Sequence, residues 1–170
     1  MSSPANIESM SQDTDRHMIG LISDTHGLLR PGVHSALDGV ELILHAGDVG
    51  GDEILHELGV IAPVLAVRGN TDPAGHPDLP PVRTLSIGGL RIHVSHGDEL
   101  GVPNPAKLLA AYAEDVIVFG HTHRPLVERL GDRLVVNPGA AGARRFKLLP
   151  SVARLTIADG FAEVDIVDLA

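Results

Sequence analysis

The chain has 170 residues, enough for one domain with a full core, and 44% of them are apolar, which excludes a largely disordered protein. Aromatics make up only 2%, so the core must be built from Val, Leu, Ile and Ala, and the absence of cysteine excludes disulfides and thiolate metal sites. The formal net charge is −9, and the basic residues are scattered apart from Arg144, Arg145 and Lys147, which argues against a long nucleic-acid duplex as partner.

Residues 1–17, MSSPANIESMSQDTDRH, lack the basic start and apolar stretch of a secretory signal and read as a disordered tail before a domain spanning 18–170. No apolar run approaches the roughly 18 residues that would span a bilayer. The expectation is a cytoplasmic protein with no membrane association. Met18 to Ser23 reads as a buried strand, Pro31 to Leu37 as a helix with Pro in its first turn, and Glu41 to His45 as the next strand. A short helix over Asp52 to Leu58 and a strand over Pro63 to Val67 follow. This rhythm predicts parallel strands and an α/β class. Further along, Val82–Ile87 and Leu90–Ser95 flank Gly88-Gly89 as a hairpin, and Asn104 to Tyr112 reads as a helix. Val116–Phe119 is a strand, Leu126–Leu130 and Arg133–Asn137 a second hairpin, and Val152–Ile157 with Ala162–Val167 a final pair.

Five short motifs carry potential ligands, each following an apolar strand: Asp24-Thr25-His26-Gly27, Gly47-Asp48, Gly69-Asn70-Thr71-Asp72, His96-Gly97-Asp98 and Gly120-His121-Thr122-His123. In an α/β domain ligands gather at the carboxyl ends of strands, so these segments should converge. Asp24 and His26 are two residues apart, as are His121 and His123. In an extended backbone such pairs point to the same side. Carboxylate, amide and imidazole together suit Mn²⁺, Fe or Zn²⁺ better than a soft thiolate metal or an all-oxygen Ca²⁺ cage. Seven donors exceed the needs of one ion and suffice for two if one carboxylate bridges. The other histidines read as structural: His17 in the tail, His34 and His56 on solvated helix faces, His76 in a Pro-rich loop. His93 falls on the strand face opposite Ile92 and Val94, and His45, three residues before Asp48, reads as a packed residue, with support of the Asp48 ligand as the alternative.

The order of these motifs resembles that of the calcineurin-like metallophosphoesterases, closest to the small bacterial and archaeal phosphodiesterases, from about Met18 to Val167. The resemblance implies a four-layer α/β sandwich, two mixed β-sheets face to face flanked by helices. It implies Asp24, His26 and His123 on one metal, Asn70, His96 and His121 on another, and Asp48 bridging them. Mn²⁺ is the first expectation, with Fe, Zn²⁺ and Ni²⁺ as alternatives. The implied reaction is hydrolysis of a small phosphate ester by in-line attack of a metal-bridging hydroxide, with Asp48, Asn70, Thr71 and Asp72 at the reaction centre. Arg144 and Arg145 are candidates for the substrate phosphate. Asn137 and Gly139 resemble a further loop motif near the site. Many relatives carry His where this chain has Thr71, and a second His where it has Asp98. The alternative is a scaffold that keeps the shape without the chemistry, as in the retromer subunit that resembles this family. The oligomeric state is open, and a homo-oligomer is compatible with the sequence.

Overall fold

The computed structural model describes residues 16–145 and 147–169. Most of the expected tail lies outside the described residues, but its last two belong to β1. Strand β1 (Arg16–Ile22) lies parallel to β2 (Leu42–His45), which lies parallel to β3 (Val64–Ala66). Parallel neighbours need crossovers, supplied by helix α1 (Gly32–Ala36) and helix α2 (Asp52–Ile61). The chain then builds a second sheet from β4 (Val82–Ile87), β5 (Leu90–Ser95), β6 (Val116–Val118), β7 (Leu126–Leu130) and β8 (Arg133–Asn137), with helix α3 (Pro105–Ala111) between β5 and β6. It returns to the first sheet through β9 (Ser151–Ala158) and β10 (Phe161–Asp168). The two five-stranded sheets have the orders β10-β9-β1-β2-β3 and β4-β5-β6-β8-β7, and both mix parallel and antiparallel pairs.

Alternation along the strands makes the layers. Ile19 and Leu21 of β1, Leu44 of β2, Ile92 and Val94 of β5, Val116 and Val118 of β6, and Leu134 and Val136 of β8 meet between the sheets. The intervening residues face outward. Ile22 and Ile43 join Val33 and Leu37 of the α1 region and Ile54 and Leu58 of α2 in a second cluster. Ile117 and Val135 join Leu108 of α3 in a third. The resulting order is helix, sheet, sheet, helix. Each fully buried Leu, Ile or Val contributes roughly 1.5–3 kcal/mol, so a core almost without aromatics is sufficient. None of the described helices is long and apolar enough to cross a membrane.

Local chemistry fixes the ends. Asn104 caps α3 by accepting the Lys107 N–H at 2.9 Å on its side-chain oxygen, with Pro105 in the first turn. Gly88 and Gly89, with φ of 57° and 84°, supply the left-handed turn that joins β4 to β5. His17 is part of β1, where its ring lies 3.0 Å from Glu41 Oε1, so it is anchored rather than idle.

Candidate metal centre

All five ligand-bearing motifs end parallel strands. Asp24 and His26 follow β1, Asp48 follows β2, Asn70 follows β3, His96 follows β5, and His121 with His123 follow β6. The first sheet thus sends three loops, and the second sheet two, to a single cleft. Asp24 Oδ1 lies 3.3 Å from His123 Nε2 and 3.7 Å from His26 Nε2. Asp48 Oδ2 faces two rings at once, 3.6 Å from His26 Nε2 and 3.2 Å from His96 Nε2. His121 Nδ1 lies 3.2 Å from Asn70 Oδ1 and 3.3 Å from His96 Nε2. The structure therefore brings together all seven residues singled out from the motifs.

The donors are arranged for cations. His96 Nδ1 is 2.8 Å from the Ala46 carbonyl, which can only accept, so the ring proton sits on Nδ1. In a neutral ring, Nε2 then presents a bare lone pair to Asp48 Oδ2, an arrangement that calls for positive charge between them. Asp24 Oδ1 is buried without a hydrogen-bond partner, while Oδ2 accepts from Ser23 Oγ at 2.6 Å and the His121 N–H at 3.1 Å. One oxygen is held and the other is left for a cation. The Asp24–His26–His123 and Asp24–Asp48–His96 groups each place three donor atoms within 4.8 Å of one another, close enough for an ion to hold them.

Burial works against ionising Asp24, but His123, His26, His96 and Ser23 outweigh it and hold the carboxyl well below the usual carboxylate range. Burial likewise opposes the charge on His96, yet Asp48, Asp24 and the Ala46 carbonyl raise its pKa to about 9. The two acids and the rings beside them form one tightly coupled set.

The backbone here departs from the extended form expected for ligand pairs two residues apart. Asp24, His26, Asp48, His121 and His123 have φ of 54°, 47°, 54°, 71° and 64°. The strands stop short of these residues, and a left-handed kink at each one aims its side chain into the cleft. Between the kinks, Thr25 turns inward and is fully buried. Such conformations cost non-glycine residues roughly 1 kcal/mol or more each, and strain of this kind clusters at functional sites. The one other described non-glycine residue with positive φ, Asp159, lies in the β9–β10 turn. Close approach adds a demand for glycine. A Cβ at Gly69 would sit 2.1 Å from Asp48 Oδ1, and one at Gly120 would sit 2.0 Å from Ser23 Oγ.

Residues 18–160 match the family model of the calcineurin-like phosphoesterase superfamily domain. The chain belongs to that superfamily. A probable metallophosphoesterase of Methanothermobacter thermautotrophicus is 37% identical over 147 residues, covering 82% of this chain and 80% of the relative. A phosphodiesterase of Methanocaldococcus jannaschii is 29% identical over 139 residues, covering 71% of this chain and 82% of its own. Among solved structures, vacuolar protein sorting 29 of Cryptosporidium parvum superposes with a TM-score of 0.75 at 24% identity, over 91% of this chain and 98% of that one. At that identity the likeness speaks for the shared fold alone.

The remaining candidates divide. Asp72 is not free to act on a substrate. Its Oδ1 accepts from the Val49 N–H at 3.0 Å and the Gly50 N–H at 3.1 Å, and its Oδ2 from the Gly69 N–H at 2.9 Å. A carboxylate so engaged holds the Asp48 loop against the Asn70 loop. Thr71 is exposed at the cleft, and its backbone N–H donates to Asp48 Oδ1 at 2.9 Å. Arg144 and Arg145 are exposed and line a shallow cleft with His123, Ala143 and Leu148. The neighbouring Asp24 carboxylate raises the pKa of His26, against burial and the charge of Arg145. Asn137, as the superfamily motif suggested, shapes its loop, donating to the Gly120 carbonyl at 3.0 Å and accepting the Gly139 N–H at 2.9 Å. Asp98 opens a short 3₁₀ turn, Asp98–Leu100. Ser23 and Thr25 escaped the sequence reading. Their only signal there was a run of hydroxyl residues around Asp24.

Two histidines set the pH response of the metal-free chain. Burial lowers the pKa of His45 from 6.5 to about 4, and the neighbouring acids raise that of His96 from 6.5 to about 9. Between pH 4 and 6.5 the unfolded chain binds a proton at His45 that the fold refuses, so stability rises with pH. Above 6.5 the fold keeps a proton on His96 that the unfolded chain has lost, so stability falls toward pH 9. Urea midpoints of chelated protein should therefore peak near pH 6.5. A midpoint that rises steadily from pH 6.5 to 9 would contradict the placement of His96 among the acids.

Proposed function

We propose that this chain is a dinuclear phosphodiesterase, acting on small phosphodiesters with two divalent cations, Mn²⁺ first and Fe, Zn²⁺ or Ni²⁺ as alternatives. The observation that carries the reading is the single carboxylate oxygen of Asp48, which faces His26 and His96 at 3.6 and 3.2 Å. Asp24, His26 and His123 would hold one cation, Asn70, His96 and His121 the other, and Asp48 both. When bound, such a pair supplies a hydroxide near neutral pH and neutralises charge on the phosphoryl oxygens. The protein's own part is to fix the donors. Ser23 and the His121 N–H orient Asp24, the Thr71 N–H orients Asp48, and the Ala46 carbonyl orients His96. Arg144 and Arg145 line a cleft that His123 shares, from which a guanidinium could meet an incoming phosphate. The phosphodiesterase from Methanocaldococcus jannaschii lends support to the diester reading. The scaffold alternative is weaker, since a scaffold has no need of seven donors, five of them held in strained backbone.

Thr71 bears on substrate choice. An imidazole at this position could bind phosphate and protonate the leaving oxygen, whereas a threonine hydroxyl donates a hydrogen bond without yielding its proton near neutral pH. A monoester dianion carries more charge than a diester and loses more from the missing cation. The wild-type chain should therefore prefer diesters and good leaving groups. Thr71→His should raise monoester relative to diester kcat/KM by roughly 10-fold or more. Matched aryl monoesters and diesters, assayed with Mn²⁺, measure this. A wild type that already prefers the monoester would refute the role given to Thr71.

A further inference from the structure

His45 is fully buried at the end of β2. Its hydrogen bonds run in one direction. The Gly47 N–H donates to Nδ1 at 3.1 Å, so Nδ1 is unprotonated and Nε2 carries the proton. Nε2 lies 2.9 Å from Thr25 Oγ1, and Thr25 Oγ1 donates onward to the Val49 carbonyl at 2.7 Å. The chain Gly47, His45, Thr25, Val49 thus starts and ends on the loop that carries Asp48. It passes through the one residue between Asp24 and His26. Backbone bonds run alongside it, from the Asp24 N–H to the Gly47 carbonyl at 3.0 Å and from the His26 N–H to the Asp48 carbonyl at 2.9 Å.

We infer that His45 is a positioning residue, whose ring and the Thr25 hydroxyl set the loop of Asp24 and His26 against the loop of Asp48. The inference rests on the two-cation reading above. Its consequence falls harder on one side of the centre, because Asp24 and His26 serve the first cation alone, while the second shares only Asp48 with the joined loops. Asp24, His26 and Asp48 lie on the loops that the relay joins, whereas Asn70, His96 and His121 lie on loops it does not touch. Loss of the relay should loosen the first cation more than the second.

The test is Mn²⁺ binding by equilibrium dialysis, with urea melts of chelated protein alongside. Asn at position 45 keeps an acceptor near Nδ1 but cannot reach Thr25. Thr25→Val removes the hydroxyl at constant shape, and Thr25→Ser keeps it. His45→Asn and Thr25→Val should each weaken one of the two Mn²⁺ sites about 10-fold, the loss typical of an outer hydrogen-bond partner, and leave the other within about 2-fold. The double variant should bind no worse than the weaker single one, because one relay is broken only once. Thr25→Ser should restore wild-type affinity. The inference is overturned if Thr25→Val binds both ions as the wild type does. Equal weakening of both sites that tracks the loss of urea stability overturns it as well. A wild-type chain that binds no Mn²⁺ or other divalent cation would instead bring down the two-cation reading and the inference with it.

Discussion

Asp48→Asn should empty both cation sites together and lower phosphodiester turnover on the order of 1,000-fold or more. One oxygen of this carboxylate faces both His26 and His96, so on the two-cation reading its negative charge would serve both ions. The amide keeps the shape and loses the charge. Asn tolerates the left-handed φ of 54° better than most residues, and its oxygen can still accept the Thr71 N–H. The fold should accordingly survive, with a urea midpoint close to that of chelated wild type. Elemental analysis with a diester assay reads the result. Full occupancy with near-normal turnover would sink the bridging role.

His121→Ala and His123→Ala should each lose mainly one cation, and not the same one. The two rings leave a single short segment in different directions. His121 Nδ1 sits by Asn70 and His96 at 3.2 and 3.3 Å, whereas His123 Nε2 sits by Asp24 at 3.3 Å. Metal content should fall from about two to about one per chain in each variant, with turnover down on the order of 100-fold or more. Because both residues occupy left-handed backbone, which alanine tolerates less readily than histidine, the exchange carries a small conformational cost of its own. Asparagine at each position separates that strain from the loss of the imidazole. A variant that keeps both ions, or two variants that lose the same one, would overturn the division of ligands.

Much of the fold could be read from apolar runs and turn residues. The β4–β5 hairpin was legible to the residue, because Gly88-Gly89 leaves no choice of register between two alternating segments. Helix α2 runs to Ile61, past the expected end at Leu58. Gly59 lowers local helix propensity, but Ile61 packs on the outer core and carries the helix on. The Asp98–Leu100 turn left no periodic trace. It depends on left-handed Gly97 and on Glu99 accepting the Gly97 N–H. In the centre, ligand types and order were legible because the chemistry demands them. The left-handed conformation of these residues was not, since Asp and His favour it more than most types but still adopt it rarely. The sequence reading expected Asp72 at the reaction centre. Only the folded chain reveals that three backbone N–H groups converge on it. Partners such as Thr25 and His45 are paired by topology, through the parallel register of β1 with β2.

The two sheets contribute to the centre from segments far apart in the chain: the His121 N–H meets Asp24 across 97 residues of sequence. A cation shared by Asp24, His26 and His123 would therefore cross-link the first sheet to the second, in a chain that has no cysteine with which to make such a link. It would act like a staple closing a long loop, with the difference that a chelator could withdraw it. The free concentration of the cation would then govern how firmly the sandwich is closed.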